Sequence, residues 1–506
     1  MADEETVADG QHDRRSVVRA GLWLSANGII QVVTTAALSI ILGRKLGAAA
    51  LGEQSLIAYV GGLCYALLVG SLIDAGIRTL SAVRGAGDQD ELARLERWLE
   101  TGLLVAGLVA GTIVAGVGLT TSNPLPWCLL ALAMALDSRG WSAAARVIAV
   151  DGWAPIARRR LVSQVSAQLL SIVLVFAGTG IAGVFGASVV ASTVLMVVLV
   201  RLAGRRRTVP YGSLPKDALR LWWMFVLTAG LTQVVGARIE FVFLGALSTT
   251  TQVAMYSVPF MLVSSVGILP SSMIGAALPA LAASSGAGRD DLMHEVLARG
   301  TRVVASLSLP ITAAVVGVGP SLVLVLYGEE FRQAAELVPL MALTLVVTPV
   351  ASLCSTFWNG RGQLRVPLLT GVAGGVLDIV LALLLIPDHG AAGATVANVT
   401  GAVVASITLA AVTWRRVGRF PLEVGTWLRS ALVSVVGGLG AWYAATHVHG
   451  ILGLLAGAVV GLVLVGGGAA LLGILSHDDA AWMVDAAPGR LRRVAQVVTR
   501  AGAASA

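Results

Sequence analysis

Long apolar runs alternate with short polar segments along almost the whole chain. Most runs have about 20 residues, the length at which an α-helix crosses the hydrocarbon core of a bilayer. Charged residues or Pro/Gly turns bound each run. The pattern predicts about fourteen transmembrane helices, at 17–43, 52–73, 99–119, 125–147, 161–178, 181–202, 219–246, 252–283, 301–326, 337–358, 366–386, 391–413, 428–446 and 451–475.

The predicted helices form two sets of six and a final pair. Both sets start from the same side of the membrane, as expected for parallel repeats. The sequence therefore predicts an all-α polytopic membrane protein with two six-helix lobes plus two C-terminal helices. The predicted organisation is a cytoplasmic tail at 1–16, an N-lobe at 17–202, a cytoplasmic linker at 203–218, a C-lobe at 219–413, two further helices within 428–475 and a cytoplasmic tail at 476–506.

Composition supports a membrane-embedded chain. Of the 506 residues, 12% are charged and 56% are hydrophobic, and the mean hydropathy is +0.84. A soluble domain carries about 25% charged residues, so the bilayer is the main solvent here. The apolar run that follows the polar first residues lacks a small-residue cleavage site, and we expect a membrane span there rather than a removed signal peptide.

The net charge of +7 is distributed unevenly across the membrane. If the first residues are cytoplasmic, nearly all of the 35 lysines and arginines lie in cytoplasmic segments. The exceptions are Arg44, Lys45 and Arg332 in opposite loops, and Arg139 and Arg238 within spans. This asymmetry predicts a cell-membrane protein with cytoplasmic N- and C-termini. It also indicates contact with membrane lipids rather than with nucleic acid.

Motifs for common catalytic chemistries are missing from the sequence. An ATP-binding loop ends in Gly-Lys-Ser/Thr, but the only lysines, Lys45 and Lys216, precede Leu and Asp. The GxSxG elbow and the HExxH zinc helix are absent as well. The cysteines lie in apolar runs without CxxC spacing, which favours packing roles for Cys64, Cys128 and Cys354. We therefore expect a protein that is not an enzyme and needs no cofactor or metal.

One short segment leaves an enzymatic alternative open. Asp88 and Asp90 form a DxD sequence, which in a membrane glycosyltransferase could hold a metal-bound nucleotide sugar. The surrounding loop is too short for the domain that this chemistry needs. The favoured interpretation is an amphipathic segment, DQDELARLERWLE, that lies at the cytoplasmic surface.

Ionisable residues within spans are functional candidates, because a charge in the bilayer must be paired or must face a water-filled cavity. Asp137 and Arg139 lie in the fourth predicted span, Arg238 and Glu240 in the seventh, and Asp378 in the eleventh. Residues two apart on a helix are separated by about 200°, so the members of each pair need partners on other helices.

Our hypothesis is that Arg139 and Arg238 face a cavity between the lobes and exchange protein carboxylates for substrate phosphates. Static structural ion pairs are the alternative. Asp137 and Glu240 are further substrate-binding candidates, whereas Asp378 and the pair at the cytoplasmic end of the second span, Asp74 and Arg78, are candidates for coupling or gating.

Uncharged polar residues recur at helical spacing within other spans. Asn27 and Gln31 lie four apart on the first span, and Gln233 lies on the seventh. Residues four apart share one helix face. Such a face can bind sugar hydroxyls or can join helices through hydrogen bonds, and both alternatives remain open.

Two segments of the first half resemble a known family. ILGRKLGAAALGEQSL resembles the Leu-Gly, short-loop, Gly-aromatic pattern of that family's first span, with Glu53 and Gln54 where an aromatic residue is frequent. SLIDAGIRTLSAVRG resembles its Asp-x-Gly-small motif followed by an arginine, matched here by Asp74, Gly76 and Arg84.

Four segments of the second half follow the same family's order and spacing: LGALSTTTQVAMYSVPFML, VLYGEEFRQAAELVPLMAL, FWNGRGQLRVPLL and LLLIPDHGAAGATVANVTG. Residues 327–331 resemble its Phe-Gly-x-x-Tyr turn, and residues 386–394 resemble its Ile-Pro-x-x-Gly-x-x-Gly-Ala turn. The family is the polysaccharide (O-antigen type) flippases. Their superfamily also contains multidrug antiporters, the lipid II flippase and oligosaccharide-lipid exporters.

The resemblance implies a MATE-like fold whose two lobes enclose a partly cationic cavity that opens alternately to either side. In such relatives the cargo is a polyprenyl-pyrophosphate-linked oligosaccharide for polysaccharide biosynthesis and export. A polysaccharide polymerase and glycosyltransferases are the implied partners. Arg139 and Arg238 suit an anionic cargo, although no family motif fixes them as binders.

Other functions remain as alternatives. A cation-coupled multidrug exporter of the same fold would favour carboxylates and aromatic residues over arginines, and only 5% of this chain is aromatic. A lipid II flippase carries a similar cargo, but its more basic first-lobe pattern is not recognised here. A membrane enzyme or an assembly scaffold would lack transport.

Overall fold

Helix is the only regular structure in the described part of the chain. The computed structural model describes residues 2–86, 88–151, 153–204, 220, 222–227, 230, 239–275, 290–417, 424–448, 450–472 and 474. Contacts between residues divide the chain into two compact units, Met1–Val242 and Phe243–Ala506. Most of the predicted linker at 203–218 lies outside the described residues, so the predicted domain boundaries stay predictions.

The described helices of the first unit run in chain order, with a π-helical turn, Tyr65–Gly70, between the first and second. They are α1 (Ala2–Cys64), α2 (Ser71–Ala86), α3 (Gln89–Leu119), α4 (Pro124–Asp151), α5 (Ala154–Phe176) and α6 (Gly180–Ala203), and α7 (Glu240–Leu247) spans the boundary between the units.

The described helices of the second unit continue the series, with a short 3-10 turn, Glu329–Phe331, between α9 and α10. They are α8 (Thr250–Gly275), α9 (Asp290–Tyr327), α10 (Arg332–Ala342), α11 (Thr344–Gly360), α12 (Arg365–Val417), α13 (Val424–His447) and α14 (Gly450–Leu471).

Ten of the described helical segments are long and apolar enough to cross a membrane. Two of them, Ile30–Ser81 and Arg365–Val417, contain 52 and 53 residues. At about 1.5 Å per residue, each is more than twice as long as the roughly 30 Å hydrocarbon core requires. Both contain a break at a glycine with positive φ, Gly47 (φ 86°) and Gly390 (φ 52°). The prediction of a polytopic all-α membrane fold is confirmed.

The two legs of α12 fold back on each other at Gly390. A Cβ atom on Gly374 of the first leg would lie only 2.5 Å from the Cβ of Ala405 and 2.7 Å from the carbonyl oxygen of Gly401 on the second leg. Such close approach along the chain requires a hairpin of antiparallel helices. It agrees with the two spans predicted at 366–386 and 391–413.

Several helices begin earlier than the predicted spans. α5 starts at Ala154 rather than Leu161, so the three consecutive arginines at 158–160 are helical and do not lie in a loop. α3 starts at Gln89, so the predicted amphipathic segment continues directly into a membrane helix. The side chain of Asp88 caps this helix by accepting hydrogen bonds from the backbone amides of Asp90 and Glu91.

Small residues allow neighbouring helices of the first unit to approach closely, as is common where lipid provides no hydrophobic drive for association. On α3, a Cβ atom at Gly111 would lie 2.9 Å from the carbonyl oxygen of Ala131 on α4. A Cβ atom at Gly107 would overlap the Ser138 side chain of the same helix. In contrast, Gly116 of α3 has open space where its Cβ would be.

These two environments predict opposite effects for the same substitution on one helix. Gly111→Ala should destabilise the protein by about 1–3 kcal/mol, because backbone on α4 must shift to admit the methyl group. Gly116→Ala should be neutral or slightly stabilising, since alanine has the higher helix propensity. Unfolding of the purified variants by denaturant titration in detergent tests this, and equal stability of the two variants would contradict the close α3–α4 contact.

Candidate functional site

Three helical segments of the first unit meet at the carboxylate of Asp137 on α4. The hydroxyl of Tyr65, at the start of the π-helical turn, donates a hydrogen bond to Asp137 Oδ2. Arg160 Nη2 of α5 lies 3.0 Å from Asp137 Oδ1. Both carboxylate oxygens are therefore engaged by residues from other helical segments.

The guanidinium of Arg160 is held from a second direction as well. Its central carbon lies 3.7 Å from the ring centroid of Trp141, one turn after Asp137 on α4. The Arg160 and Asp137 side chains are only 22% and 20% exposed. A guanidinium over an indole face gains cation–π attraction, which increases as water is excluded. The arrangement is a half-buried ion pair with an aromatic support.

The π-helical turn places Tyr65 at this junction. A π-turn inserts one extra residue into the helical ladder and changes the direction of the side chains that follow, and such turns are frequent at functional sites. The turn lies where the chain continues from α1 into α2. Tyr65 is the first residue of this turn, and its hydroxyl reaches Asp137.

Arg139 makes a separate ion pair with α3. Its Nη2 lies 2.6 Å from Glu100 Oε1, and the two side chains are 34% and 27% exposed. Arg139 Nη1 also donates to Ser142 Oγ at 2.9 Å, while the Ser142 hydroxyl donates to the Arg139 carbonyl. Arg139 is therefore held in one orientation but keeps about a third of its side chain accessible.

The positions of Asp137 and Arg139 agree with the separation of about 200° expected for residues two apart on a helix. Asp137 and Arg139 do not pair with each other, and each has its ionic partner on another helix. Sequence reasoning did not identify those partners, Tyr65, Glu100 and Arg160. Sequence alone places Arg160 in a cytoplasmic segment, and Tyr65 lies in an apolar run. Whether this cluster binds cargo or is a static structural element stays a prediction.

The other predicted carboxylates are not part of this cluster. Glu240, at the start of α7, is fully buried. Asp378, on the first leg of α12, is 5% exposed and packs against the second leg, where a Cβ on Gly401 would lie 2.7 Å from its own Cβ. Burial of a carboxyl group is costly, which keeps Asp378 and Glu240 as candidates for function.

The remaining predicted residues are exposed or outside the description. Asp74 and Arg78 are exposed on α2, and Gln31 is exposed on α1. Arg238, Gln233 and the side chain of Asn27 lie outside the described residues. The roles assigned to all six stay predictions.

Several motifs that carry the family resemblance have structural roles. Gly328 has φ 97° at the turn between α9 and the 3-10 helix, and the rings of Tyr327 and Phe331 pack beside it with centroids 5.1 Å apart. At the α12 hairpin, the backbone amide of Ala391 donates to Gln252 Oε1 at 2.8 Å. The Gln252 side chain thereby joins the α12 hairpin turn to α8.

Solved structures of transporters share this fold. A multidrug resistance MATE family transporter in an inward-facing conformation aligns with a TM-score of 0.58 at 16% identity, covering 79% of this chain and 98% of its own. The eukaryotic MATE transporter AtDTX14 aligns with a TM-score of 0.55 at 16% identity, over 84% and 99% of the two chains. The class of fold is therefore MATE-like, that of an all-α multi-pass membrane protein.

Two further comparisons identify a family within this class of fold. The structure of the lipid II flippase MurJ in an inward closed conformation aligns with a TM-score of 0.70 at 12% identity, covering 90% of this chain and 98% of that one. A family model described as lipid II flippase MurJ matches residues 153–460, more than half of the sequence. This chain belongs to the MurJ family. No curated protein matches its sequence.

The family assignment refines the sequence analysis. The superfamily and the flippase class are confirmed, while the polysaccharide (O-antigen type) subtype is not. The lipid II flippase, one of the alternatives, is the family that matches. The matched segment begins at residue 153, so the helix that carries Asp137 and Arg139 precedes it.

A double-mutant cycle measures whether the Asp137 cluster acts as a unit. Asp137→Asn and Arg160→Gln should each destabilise the protein, because each leaves the other charge half-buried without its ionic partner. The double variant should lose less free energy of unfolding than the two single variants lose together. We expect an interaction energy of about 0.5–3 kcal/mol. Denaturant titration of the purified variants in detergent provides the four free energies.

The exposed pair Arg332–Glu329, whose side chains are 63% and 72% exposed, is the matched control for this cycle. The interaction energy of this exposed pair should lie within the range for surface ion pairs, roughly 0–1 kcal/mol. Additive effects of Asp137→Asn and Arg160→Gln, indistinguishable from this control, would show that the cluster is not a coupled unit.

Proposed function

We propose that this protein is a flippase that moves a polyprenyl-pyrophosphate-linked saccharide of the lipid II type across the cytoplasmic membrane. The observation that carries the proposal is the MurJ family match over residues 153–460. The similarity of fold over nearly the whole chain supports it. Transport leaves the cargo chemically unchanged, so the protein is not an enzyme in this proposal.

The charges of the first unit supply a recognition chemistry for such a cargo. A pyrophosphate presents several anionic oxygens, and a guanidinium binds phosphate oxygens with two parallel hydrogen bonds. Arg139 combines a fixed orientation with partial exposure, since Glu100 and Ser142 hold it while a third of its side chain is accessible. The pyrophosphate would replace Glu100 as the partner of Arg139.

Energy for transport would come from an ion gradient, the membrane potential or consumption of cargo on the far side, because the sequence has no ATP-binding loop. Alternating access needs groups whose charge state changes with access to water. Asp74, Asp137, Glu240 and Asp378 are the carboxyl groups proposed for this coupling. Both termini would lie in the cytoplasm, as the distribution of lysine and arginine indicates.

A second cargo is a lipid-linked oligosaccharide for polysaccharide export. It is favoured by the order and spacing of the second-half motifs, from the 327–331 turn to the 386–394 turn, which resemble the polysaccharide flippases. In this case a polysaccharide polymerase or glycosyltransferases would act on the cargo before or after transport. Both cargoes share the polyprenyl pyrophosphate, so the same arginine chemistry would serve either one.

Mass spectrometry of lipid extracts distinguishes the cargoes. Cells depleted of this protein should accumulate one polyprenyl-linked saccharide relative to cells that retain it, and its mass identifies the glycan. A peptide-bearing disaccharide indicates a lipid II type cargo, and a repeating-unit oligosaccharide indicates the second. An unchanged lipid profile in cells that still make their surface glycans would overturn both and favour a multidrug exporter of the same fold.

Substitutions at the Arg139–Glu100 pair test whether the arginine binds cargo or only joins two helices. Arg139→Gln should reduce transport at least tenfold at an unchanged protein level, since the loss of one charge-assisted bidentate contact costs about 1.5–3 kcal/mol. Arg238→Gln should do the same if both arginines face the cargo. The measurement is rescue of the depleted cells, with the accumulated lipid as readout.

Two controls separate the alternatives. Glu100→Gln removes the same ion pair but leaves the arginine, so a cargo-binding Arg139 predicts near-normal transport. Arg332→Gln changes an exposed arginine at the start of α10 and should have no effect. Equal losses from Arg139→Gln and Glu100→Gln, or loss of folded protein in Arg139→Gln, would instead identify a static structural pair.

A further inference from the structure

A groove of about 300 Å³ runs between α5 and α6 on the surface of the first unit. Small side chains on α5, Ser163, Ser166 and Ala167, and Ala191 on α6 leave the space between the helices open. The Ser163 hydroxyl donates to the Ala191 carbonyl at 3.4 Å and joins the two helices across the groove. The volume is at the lower end of the range for ligand pockets, roughly 300–1,000 Å³.

The walls of the groove are apolar and face outward. Val162 of α5 is 60% exposed, and Val190 and Val194 of α6 are 51% and 57% exposed. Apolar side chains at such exposure on a membrane-spanning helix suit contact with acyl chains. The groove therefore offers an accessible apolar surface along its length.

One end of the groove is cationic. Arg158 and Arg159 line it at the start of α5. Arg159 Nη1 donates to the carbonyl of Pro155 at 2.8 Å, which orients the guanidinium and leaves its other N–H groups available. Arg158 is exposed and has no hydrogen bond or ion pair with residues that the structure describes. The positive end of the α5 helix dipole adds to the potential at this position.

The third arginine of the run does not belong to the groove. Arg160 is turned about 100° further around the helix and pairs with Asp137 inside the unit. The helical period thus divides three consecutive arginines between an internal ion pair and an external groove. Arg158 and Arg159 stay at the accessible surface, and neither forms an ion pair with the residues that the structure describes.

The length of the groove corresponds to one leaflet. Arg159, Ser163, Ser166 and Leu170 follow each other along one face of α5. At about 1.5 Å per residue, the distance from Arg159 to Leu170 is roughly 17 Å, close to half of the hydrocarbon core of about 30 Å. A ligand that lies along this face would have an anionic group at the arginines and an apolar chain of one leaflet's depth.

We propose that this groove binds one anionic glycerophospholipid from the cytoplasmic leaflet, with its phosphate between Arg158 and Arg159 and one acyl chain between α5 and α6. Basic pockets between transmembrane helices on the cytoplasmic side are known to hold anionic head groups. A polyprenyl chain is much longer than the groove, which favours a phospholipid over the cargo. The inference does not depend on the identity of the cargo.

Native mass spectrometry of the full-length protein, released from nanodiscs, tests the lipid site. Nanodiscs of phosphatidylcholine alone are compared with nanodiscs of phosphatidylcholine mixed with phosphatidylglycerol. The wild-type protein should retain one phosphatidylglycerol, and the Arg158→Gln/Arg159→Gln variant should bind it about thirtyfold more weakly, from the loss of two charges near the membrane surface. High salt should weaken the wild-type retention as well.

Two further variants assign the site to the groove. Ala167→Phe fills the space between the helices without a charge change and should also reduce retention. If that variant does not fold, Ser166→Leu replaces it at an exposed position. Arg94→Gln is the matched control, because Arg94 is also an exposed arginine near the start of a helix and bonds to a carbonyl one turn earlier, that of Asp90.

Three results would overturn the proposal. Equal retention in the Arg158→Gln/Arg159→Gln variant and in Arg94→Gln would show that lipid binds by general surface charge. Unchanged retention in the groove-filling variant would show that no acyl chain lies between α5 and α6. Displacement of phosphatidylglycerol by a polyprenyl phosphate in mixed nanodiscs would assign the groove to the cargo instead.

Discussion

A charged group within hydrocarbon must find its partner inside the protein, and this requirement organises the first unit. Asp137 lies on α4, in the fourth predicted span, and its carboxylate is engaged by Tyr65 and Arg160 from two neighbouring segments. Tyr65 stands in the π-helical turn, and Arg160 lies in the helical start of α5. Loss of the Arg160 contact would leave the half-buried Asp137 carboxylate without its ionic partner.

The bilayer environment also favours close packing of the helices. Apolar side chains gain nothing by leaving lipid for one another, so the helices associate through short contacts and polar bonds. Gly107 and Gly111 let α3 approach α4, which sets the distance that the Arg139–Glu100 pair spans. In the second unit, Gly374 and Gly401 do the same for the legs of α12, and Asp378 packs at that contact.

The helices themselves could be predicted because an apolar run of about 20 residues has few alternatives to a membrane span. The turns at Gly328 and Gly390 could also be predicted, since positive φ favours glycine. The partners of Asp137 and Arg139 could not, because pairing depends on which helices are neighbours and on their rotation. Arg160 shows the difficulty most clearly. Sequence places it in a run of loop charges, and only the start of α5 at Ala154 turns it inward.

The three arginines at 158–160 lie in different environments because of the rotation of α5. A helix turns by about 100° per residue, so consecutive side chains cannot share one environment. Arg160 is directed into the unit, where Asp137 and Trp141 compensate its charge, whereas Arg158 and Arg159 line the groove that faces lipid. The same turn of α5 therefore has an internal electrostatic partner and, with the proposed lipid bound, an external one. Because both act on one helix, an anionic lipid at the outer pair would hold α5 in the rotation that the inner ion pair requires.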